Sequence, residues 1–86
     1  MARIRALLAD DSGPMLDRVR ELLSGDGCEV VGAVSDGQAA LDAALKLRPD
    51  VVVLDISMPI LNGIQAAKLL RQADPDARIV FLTVEK

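Results

Sequence analysis

The sequence predicts an α/β fold built on an open parallel sheet, with strands and helices in the order βαβαβαβ. Two observations predict it: four short apolar runs of strand length alternate with three longer amphipathic or Ala-rich segments, and Gly, Pro, Asn and Asp fall between them at regular intervals. The length of 86 residues allows one small domain at most. Because 51% of the residues are apolar and 27% are charged, the chain can fold around a core.

The first strand and the first helix are predicted from the N-terminal quarter of the chain. Ile4 to Ala9 is a short apolar run closed by two acidic residues, which is typical of a buried strand. Ser12 and Pro14 then indicate the start of a helix, which ends near Gly25. Its apolar face consists of Met15, Leu16, Val19, Leu22 and Leu23.

The second and third strands flank an Ala-rich helix. Glu29 to Val34 is short and β-branched, which favours a strand. Ser35 or Asp36 would cap the helix that follows and runs to about Leu47. Val51 to Leu54 are four apolar residues without alternation, which predicts a strand covered on both faces in the middle of a parallel sheet.

The last two predicted elements follow a loop. After Asp55, residues 56–63 contain Pro, Asn and Gly and are predicted to be irregular. A third helix runs from Ile64 to about Ala73 and ends before an Asp-Pro-Asp turn. Arg78 to Thr83 is the fourth predicted strand.

The residue types that are absent exclude several kinds of chemistry. Without any His, a histidine base, a histidine metal ligand and a Ser-His-Asp triad are impossible in this chain. The single Cys28 cannot form an internal disulfide, and we expect a small buried side chain in a reducing compartment.

With a net charge of -3 and no run of Lys or Arg, we expect no direct nucleic-acid binding by this chain. No apolar stretch approaches about 18 residues, so we expect no membrane span and a cytoplasmic protein.

Acidic residues stand at the carboxyl ends of two predicted strands, where open parallel sheets bind ligands. Asp10 and Asp11 follow the first strand and Asp55 follows the third, so the three converge if these strands are neighbours. Carboxylates at one place repel, and a hard divalent cation such as Mg²⁺ or Ca²⁺ relieves the repulsion. Mg²⁺ among carboxylates suits phosphoryl chemistry, with Asp55 as nucleophile and the Thr83 hydroxyl donating to a phosphoryl oxygen.

Simpler interpretations of the same residues stay open at this point. Asp10 and Asp11 could be a helix N-cap and a first-turn charge, and Thr83 could be an ordinary strand residue. A dinucleotide-binding fold fits the element order, but its Gly-rich phosphate loop is replaced here by an acid pair that would repel a pyrophosphate. An enzyme with a small-molecule substrate is disfavoured because no second catalytic group accompanies the acids.

Four segments together resemble the receiver domain of two-component response regulators. They are Leu8–Ser12, Val53–Pro59, Asn62–Gly63 and Ile79–Thr83, and the resemblance extends over essentially the whole chain. It implies a flavodoxin-like sheet and a phosphoacceptor that receives its phosphoryl group from a sensor histidine kinase or a phosphotransfer protein. It also implies an output in a longer parent protein. The four segments are most similar to those of receivers that precede a helix-turn-helix DNA-binding domain, so the expected output is regulation of transcription.

The resemblance assigns a role to each site residue. Asp55 matches the phosphoacceptor, and Asp11 matches the principal acidic ligand of Mg²⁺ or another divalent cation. Asp10 matches its neighbour, which acts largely through water, and Ser57 matches the position whose backbone carbonyl completes the metal site. Thr83 matches the hydroxyl residue that turns toward the phosphoryl group and couples it to the signalling surface.

Two further positions match residues with backbone roles. Gly63 is expected to tolerate a positive φ in the loop, and Pro59 is expected to stiffen the turn. The chain is expected to accept a phosphoryl group and not to act as an enzyme on a separate substrate.

The sequence departs from the family pattern in its length. A complete receiver has five strands, five helices and a Lys at the end of the fifth strand. Residues 1–86 are therefore expected to be its N-terminal part, without the fifth strand and the last two helices. None of the lysines of this chain, Lys46, Lys68 and Lys86, matches that Lys.

An alternative function therefore stays open: the chain could be a phosphorylation-impaired fragment that works as a self-associating interaction module. In both cases we expect a homo-oligomer through the exposed fourth strand, at Val80 and Leu82, and the uncovered sheet face beside the first helix.

Overall fold

The fold is a four-stranded parallel sheet with helices on both faces, given by a computed structural model that describes residues 3–23, 25 and 27–82. Within these residues the strand order is β2-β1-β3-β4, and every neighbouring pair is parallel. The α/β fold class and the adjacency of the first and third strands are therefore confirmed. The elements are β1 (Ile4–Ala9), α1 (Gly13–Leu23), β2 (Cys28–Val34), α2 (Gly37–Leu47), β3 (Val51–Asp55), α3 (Gly63–Ala73) and β4 (Ile79–Leu82).

The predicted strand boundaries differ from the observed ones by single residues. β2 begins at Cys28, which is half-buried, so the expectation of a buried cysteine is wrong. Asp55 is the last residue of β3 and pairs with Leu82 of β4, because the ladder between the two strands extends one residue further than the apolar run. Thr83, the predicted end of the fourth strand, lies outside the described residues.

Capping interactions define the starts and ends of α2 and α3. Asp36, one of the two predicted caps, accepts a hydrogen bond from the Ala39 N–H at 2.7 Å. α2 ends where Arg48 adopts a left-handed conformation with φ 50°. Asn62 and Gln65 form a capping box at the start of α3, and Gly63 is therefore the first helical residue, one position before the predicted start.

One face of the sheet carries the main core, beneath α2 and α3. Leu7 of β1 lies beside Val52 of β3, so both point to the same face. Small alanines on the two helices let them pack closely on these strands and on each other. The buried residues of this core are Leu7, Ala9, Ala40, Ala44, Val52, Leu54, Met58, Ala66, Ala67 and Leu70.

The other face of the sheet is covered less completely by the described residues. α1 packs on β1 and β2, and no residue of α1 is fully buried. Val51 and Val53 of β3 are half-buried, while Val52 and Leu54 are buried, so the prediction of a strand fully covered on both faces is wrong. The reason is that α3 packs on β3 from one face, whereas α1 packs on β1 and β2 on the other face. None of the described helices is long and apolar enough to cross a membrane.

Candidate functional site

The carboxyl ends of β1 and β3 bring three acidic side chains together. Ala9 lies beside Leu54 in the parallel ladder, so the next residues, Asp10 and Asp55, lie side by side at the carboxyl ends of the two strands. Asp10, Asp11 and Asp55 each offer a carboxylate oxygen, and these three oxygens lie within 4.8 Å of one another. The convergence predicted from strand adjacency is confirmed, and we call these three residues the acidic cluster.

The local structure around Asp10 belongs to the turn between β1 and α1. Asp10 is buried, and its Oδ1 accepts a hydrogen bond from the Ser12 N–H at 2.8 Å. The Ser12 Oγ accepts from the Met15 N–H at 3.3 Å, so Ser12 supplies the side-chain cap of α1. Asp11 is exposed beside them. Asp10 therefore supports the turn into the helix, and capping does not account for the acid pair.

Asp55 belongs to the loop that joins β3 to α3. Its Oδ1 accepts a hydrogen bond from the Ser57 N–H at 3.3 Å, which places the Ser57 backbone next to the carboxylate. Ser57 itself is exposed, and Asp55 is half-buried. Thr83, the predicted hydroxyl partner, lies outside the described residues.

Gly63 restrains this loop by close packing and not by an unusual backbone conformation. Its N–H donates to the Ile56 carbonyl at 3.0 Å and closes the loop at its base. A Cβ at position 63 would overlap the Asp55 carbonyl oxygen and lie 3.0 Å from the Ile56 Cα. Its φ is not positive, so the expected reason for this glycine is wrong: space beside Asp55 requires it.

The positive φ in the loop belongs to Ile60 instead. Ile60 has φ 69°, and the Leu61 N–H donates to the Pro59 carbonyl at 2.7 Å, which closes a three-residue turn around it. A β-branched residue is an outlier in this region, and local strain of this kind concentrates at functional sites. The Ile60 side chain is 81% exposed, so burial does not compensate for the strain.

We expect Ile60→Asn to stabilise the protein. Asn adopts positive φ more readily than a β-branched residue, so the free energy of unfolding should rise by about 1 kcal/mol in urea denaturation. Ile64→Asn is the matched control, because Ile64 is also exposed but lies in the first turn of α3. Its backbone is helical, so Asn relieves no backbone strain there and no gain in stability is expected. A lower stability for Ile60→Asn than for the wild type would contradict this explanation.

The acidic cluster fits a hard divalent cation. Its oxygens come from carboxylates, and the sequence contains no His and a single Cys. Oxygen ligands favour Mg²⁺ or Ca²⁺ over zinc, and positive charge here would offset the repulsion among three carboxylates. The arrangement therefore suits binding of a cation next to a half-buried carboxylate.

Comparison with known proteins identifies a family that this chain matches. The family described as response regulator receiver domain matches residues 6–86. A protein-glutamate methylesterase/protein-glutamine glutaminase of Pseudomonas aeruginosa is 42% identical over 79 residues, which cover 91% of this chain and 22% of that protein. The chain thus spans about a fifth of this curated relative.

Solved structures show the same fold. The response regulator domain of Thermotoga maritima CheB has a TM-score of 0.90 and 38% identity, and the match covers 94% of this chain and 60% of that one. The RcsB response regulator of Salmonella typhimurium, solved in a study of DNA interaction, has a TM-score of 0.87 and 29% identity, with coverage of 99% and 44%. Both are longer than the present chain.

Proposed function

Because the chain belongs to the response regulator receiver domain family, we propose that it is a phosphoacceptor module in which Asp55 receives the phosphoryl group. One observation supports this most directly. Three carboxylate oxygens from Asp10, Asp11 and Asp55 lie within 4.8 Å at the carboxyl ends of two adjacent strands. A cluster of this kind can hold a cation beside a nucleophilic carboxylate.

The proposed reaction is transfer of a phosphoryl group from a phosphohistidine of a sensor kinase or phosphotransfer protein. An oxygen of Asp55 attacks phosphorus, a new P–O bond forms, and the P–N bond to the donor imidazole breaks with its electron pair going to the nitrogen. The product is an aspartyl phosphate. This chain has no His, so it accepts the group and does not donate it from a histidine, and in our proposal it acts on no separate substrate.

The metal ligands in this proposal are Asp10, Asp11, Asp55 and the Ser57 backbone carbonyl. Bound Mg²⁺, or another divalent cation, would supply positive charge for the phosphoryl oxygens. The Ser57 assignment is supported by the hydrogen bond from its N–H to Asp55, which keeps the Ser57 backbone at the site. We assign Thr83 the hydrogen bond to a phosphoryl oxygen and the coupling to the signalling surface.

Small-molecule phosphorylation tests this proposal. Acetyl phosphate with Mg²⁺ is expected to give a species heavier by about 80 Da in intact-mass measurement, the mass of one phosphoryl group. The same incubation with a chelator in place of Mg²⁺ is the control and is expected to give far less product. A mass that never changes with Mg²⁺ would favour the phosphorylation-impaired alternative.

We further propose that the receiver regulates an output in a longer cytoplasmic protein. Transcription is our first candidate, supported by the likeness to RcsB, which was studied for DNA interaction. A second candidate is a methylesterase output, favoured by the higher identity to the Pseudomonas aeruginosa methylesterase. The codons that follow residue 86 in the gene distinguish a helical DNA-binding segment from a hydrolase domain.

We also propose that the 86-residue chain self-associates through β4. Among the described residues β4 has a neighbouring strand on one side only. Val80 and Phe81 point to opposite faces of this strand and are 52% and 45% exposed, whereas Leu82 is half-buried. An exposed apolar edge strand is prone to pair with another chain, whereas Lys on an edge opposes such pairing.

Sedimentation velocity tests this association over a range of concentrations. The wild type is expected to shift from monomer toward dimer as the concentration rises, and Val80→Lys is expected to stay monomeric. Leu45→Lys introduces the same charge at an exposed position on α2 and is expected to leave the association unchanged. A wild type that remains monomeric throughout would refute the proposed interface.

A further inference from the structure

The start of α2 lies against the loop that follows Asp55. Gly37, the first residue of α2, is buried, and a Cβ there would overlap the Leu61 carbonyl oxygen and lie 2.8 Å from the Leu61 Cβ. Gly13 holds the same position in α1, and nothing lies within 4 Å of a Cβ built on it. The requirement for glycine at position 37 therefore comes from the loop and not from its place in a helix.

Leu61 is held from both sides. On one side, its N–H donates to the Pro59 carbonyl and closes the strained turn at Ile60. On the other side, its carbonyl meets the backbone of Gly37. The hydrogen bond from the Gly63 N–H to the Ile56 carbonyl closes the base of the loop. Residues 56–62 are therefore restrained at the base by this bond and at the tip by the contacts of Leu61.

The first turn of α2 is itself well anchored. The Asp36 side chain caps it through the Ala39 N–H, and the Asp36 carbonyl accepts from the Ala40 N–H at 3.0 Å. Ala40 is also buried in the core. A fixed helix start of this kind can determine where the loop lies.

We propose that Gly37 is a positioning residue for the cation and phosphoryl site. By letting the Leu61 peptide approach α2, it sets the position of residues 56–62, and with it the Ser57 backbone beside Asp55. This inference rests on the proposed function, because it assigns Gly37 a role in cation binding. Mg²⁺ demands near-ideal ligand geometry, so a displaced loop should weaken it even in a folded protein.

The test compares Gly37→Ala with Gly13→Ala, two identical substitutions at the first residue of a helix. Titration calorimetry with Mg²⁺ alone is expected to give a dissociation constant at least about tenfold higher for Gly37→Ala, the range found for residues that support metal ligands. Gly13→Ala is expected to bind as the wild type does. Hydrogen exchange at the Gly63 amide should accelerate only in Gly37→Ala, and circular dichroism confirms that each variant is folded.

The outcomes separate this inference from the proposed function. An unchanged Mg²⁺ affinity in folded Gly37→Ala would overturn the positioning role, whatever the change in melting temperature. A wild type that binds no Mg²⁺ would refute the proposed function and the role in cation binding, although faster Gly63 exchange would still show that Gly37 positions the loop.

A second variant covers the case in which Gly37→Ala does not fold. Leu61→Ala removes the half-buried side chain by which the loop tip packs on the core, and it adds no atom at the contact with α2. The Mg²⁺ dissociation constant is expected to rise about tenfold, at the lower end of the effects that supporting residues have on metal sites. Exchange of the Gly63 amide is expected to be faster. Wild-type values for both measurements would overturn the proposal.

Discussion

Asp55→Asn is expected to abolish phosphorylation of the chain by acetyl phosphate. The amide that replaces the carboxylate has nearly the same shape but is not a nucleophile, so no aspartyl phosphate can form at this position. We expect the mass gain of about 80 Da to disappear. The fold should persist, because removing one of three clustered negative charges relieves repulsion at the end of β3.

Asp76→Asn is the matched control for this loss. Asp76 is exposed in the turn before β4 and lies outside the acidic cluster. The control removes the same charge and is expected to be phosphorylated as the wild type is. A full mass gain in Asp55→Asn, at the wild-type rate, would show that another group accepts the phosphoryl and would refute the assignment.

Leu54→Ala is expected to have the largest effect on stability. Leu54 is 1% exposed and lies in the core beneath α2 and α3, directly before Asp55. Truncation of a buried Leu costs about 2 to 5 kcal/mol. A domain of this length has a total stability of about 4 to 13 kcal/mol, so the loss removes a large part of it. Thermal melting followed by circular dichroism should show a midpoint lower by at least about 10 °C.

Leu22→Ala makes the same chemical change on the surface. Leu22 is on the apolar stripe of α1, yet it is 78% exposed. The control is expected to change the free energy of unfolding by less than about 0.5 kcal/mol, as is usual at exposed positions. Equal losses in the two variants would contradict the described core, since one side chain is buried there and the other is not.

The contrast between these two leucines shows where sequence patterns are informative and where they fail. Helical spacing places Leu22 on the apolar face of α1, but spacing does not reveal how much of that face the sheet covers. The uninterrupted run at Val51–Leu54 predicts a strand correctly. It does not reveal that Val53 is only half-buried, since that depends on where α1 lies over the sheet.

The acidic cluster could be predicted because its residues are placed by simple rules. The pair of Asp10 and Asp11 and the single Asp55 each come directly after a strongly apolar run. Parallel strands present their carboxyl ends at one edge of the sheet. Only the neighbour relation of β1 and β3 had to be assumed, and the pairing of Ala9 with Leu54 confirms it.

The restraint on the neighbouring loop could not be predicted in the same way. Gly37 follows a helix cap and carries no local sign of the contact it makes, because its partner Leu61 comes from a distant part of the chain. The sequence singles out Gly63 for a positive φ that it does not have. The positive φ belongs to Ile60, a residue type that local preferences disfavour there.

The sequence by itself determined the order of elements, their approximate limits and the identity of the carboxylates, because these depend on periodicity, capping residues and short apolar runs. The tertiary structure decided which backbone segments touch. The close approach of Gly37 to Leu61 and of Gly63 to Asp55 depends on how α2 and α3 pack on the sheet. Contacts of that kind depend on how whole elements pack against one another, and no local pattern encodes them.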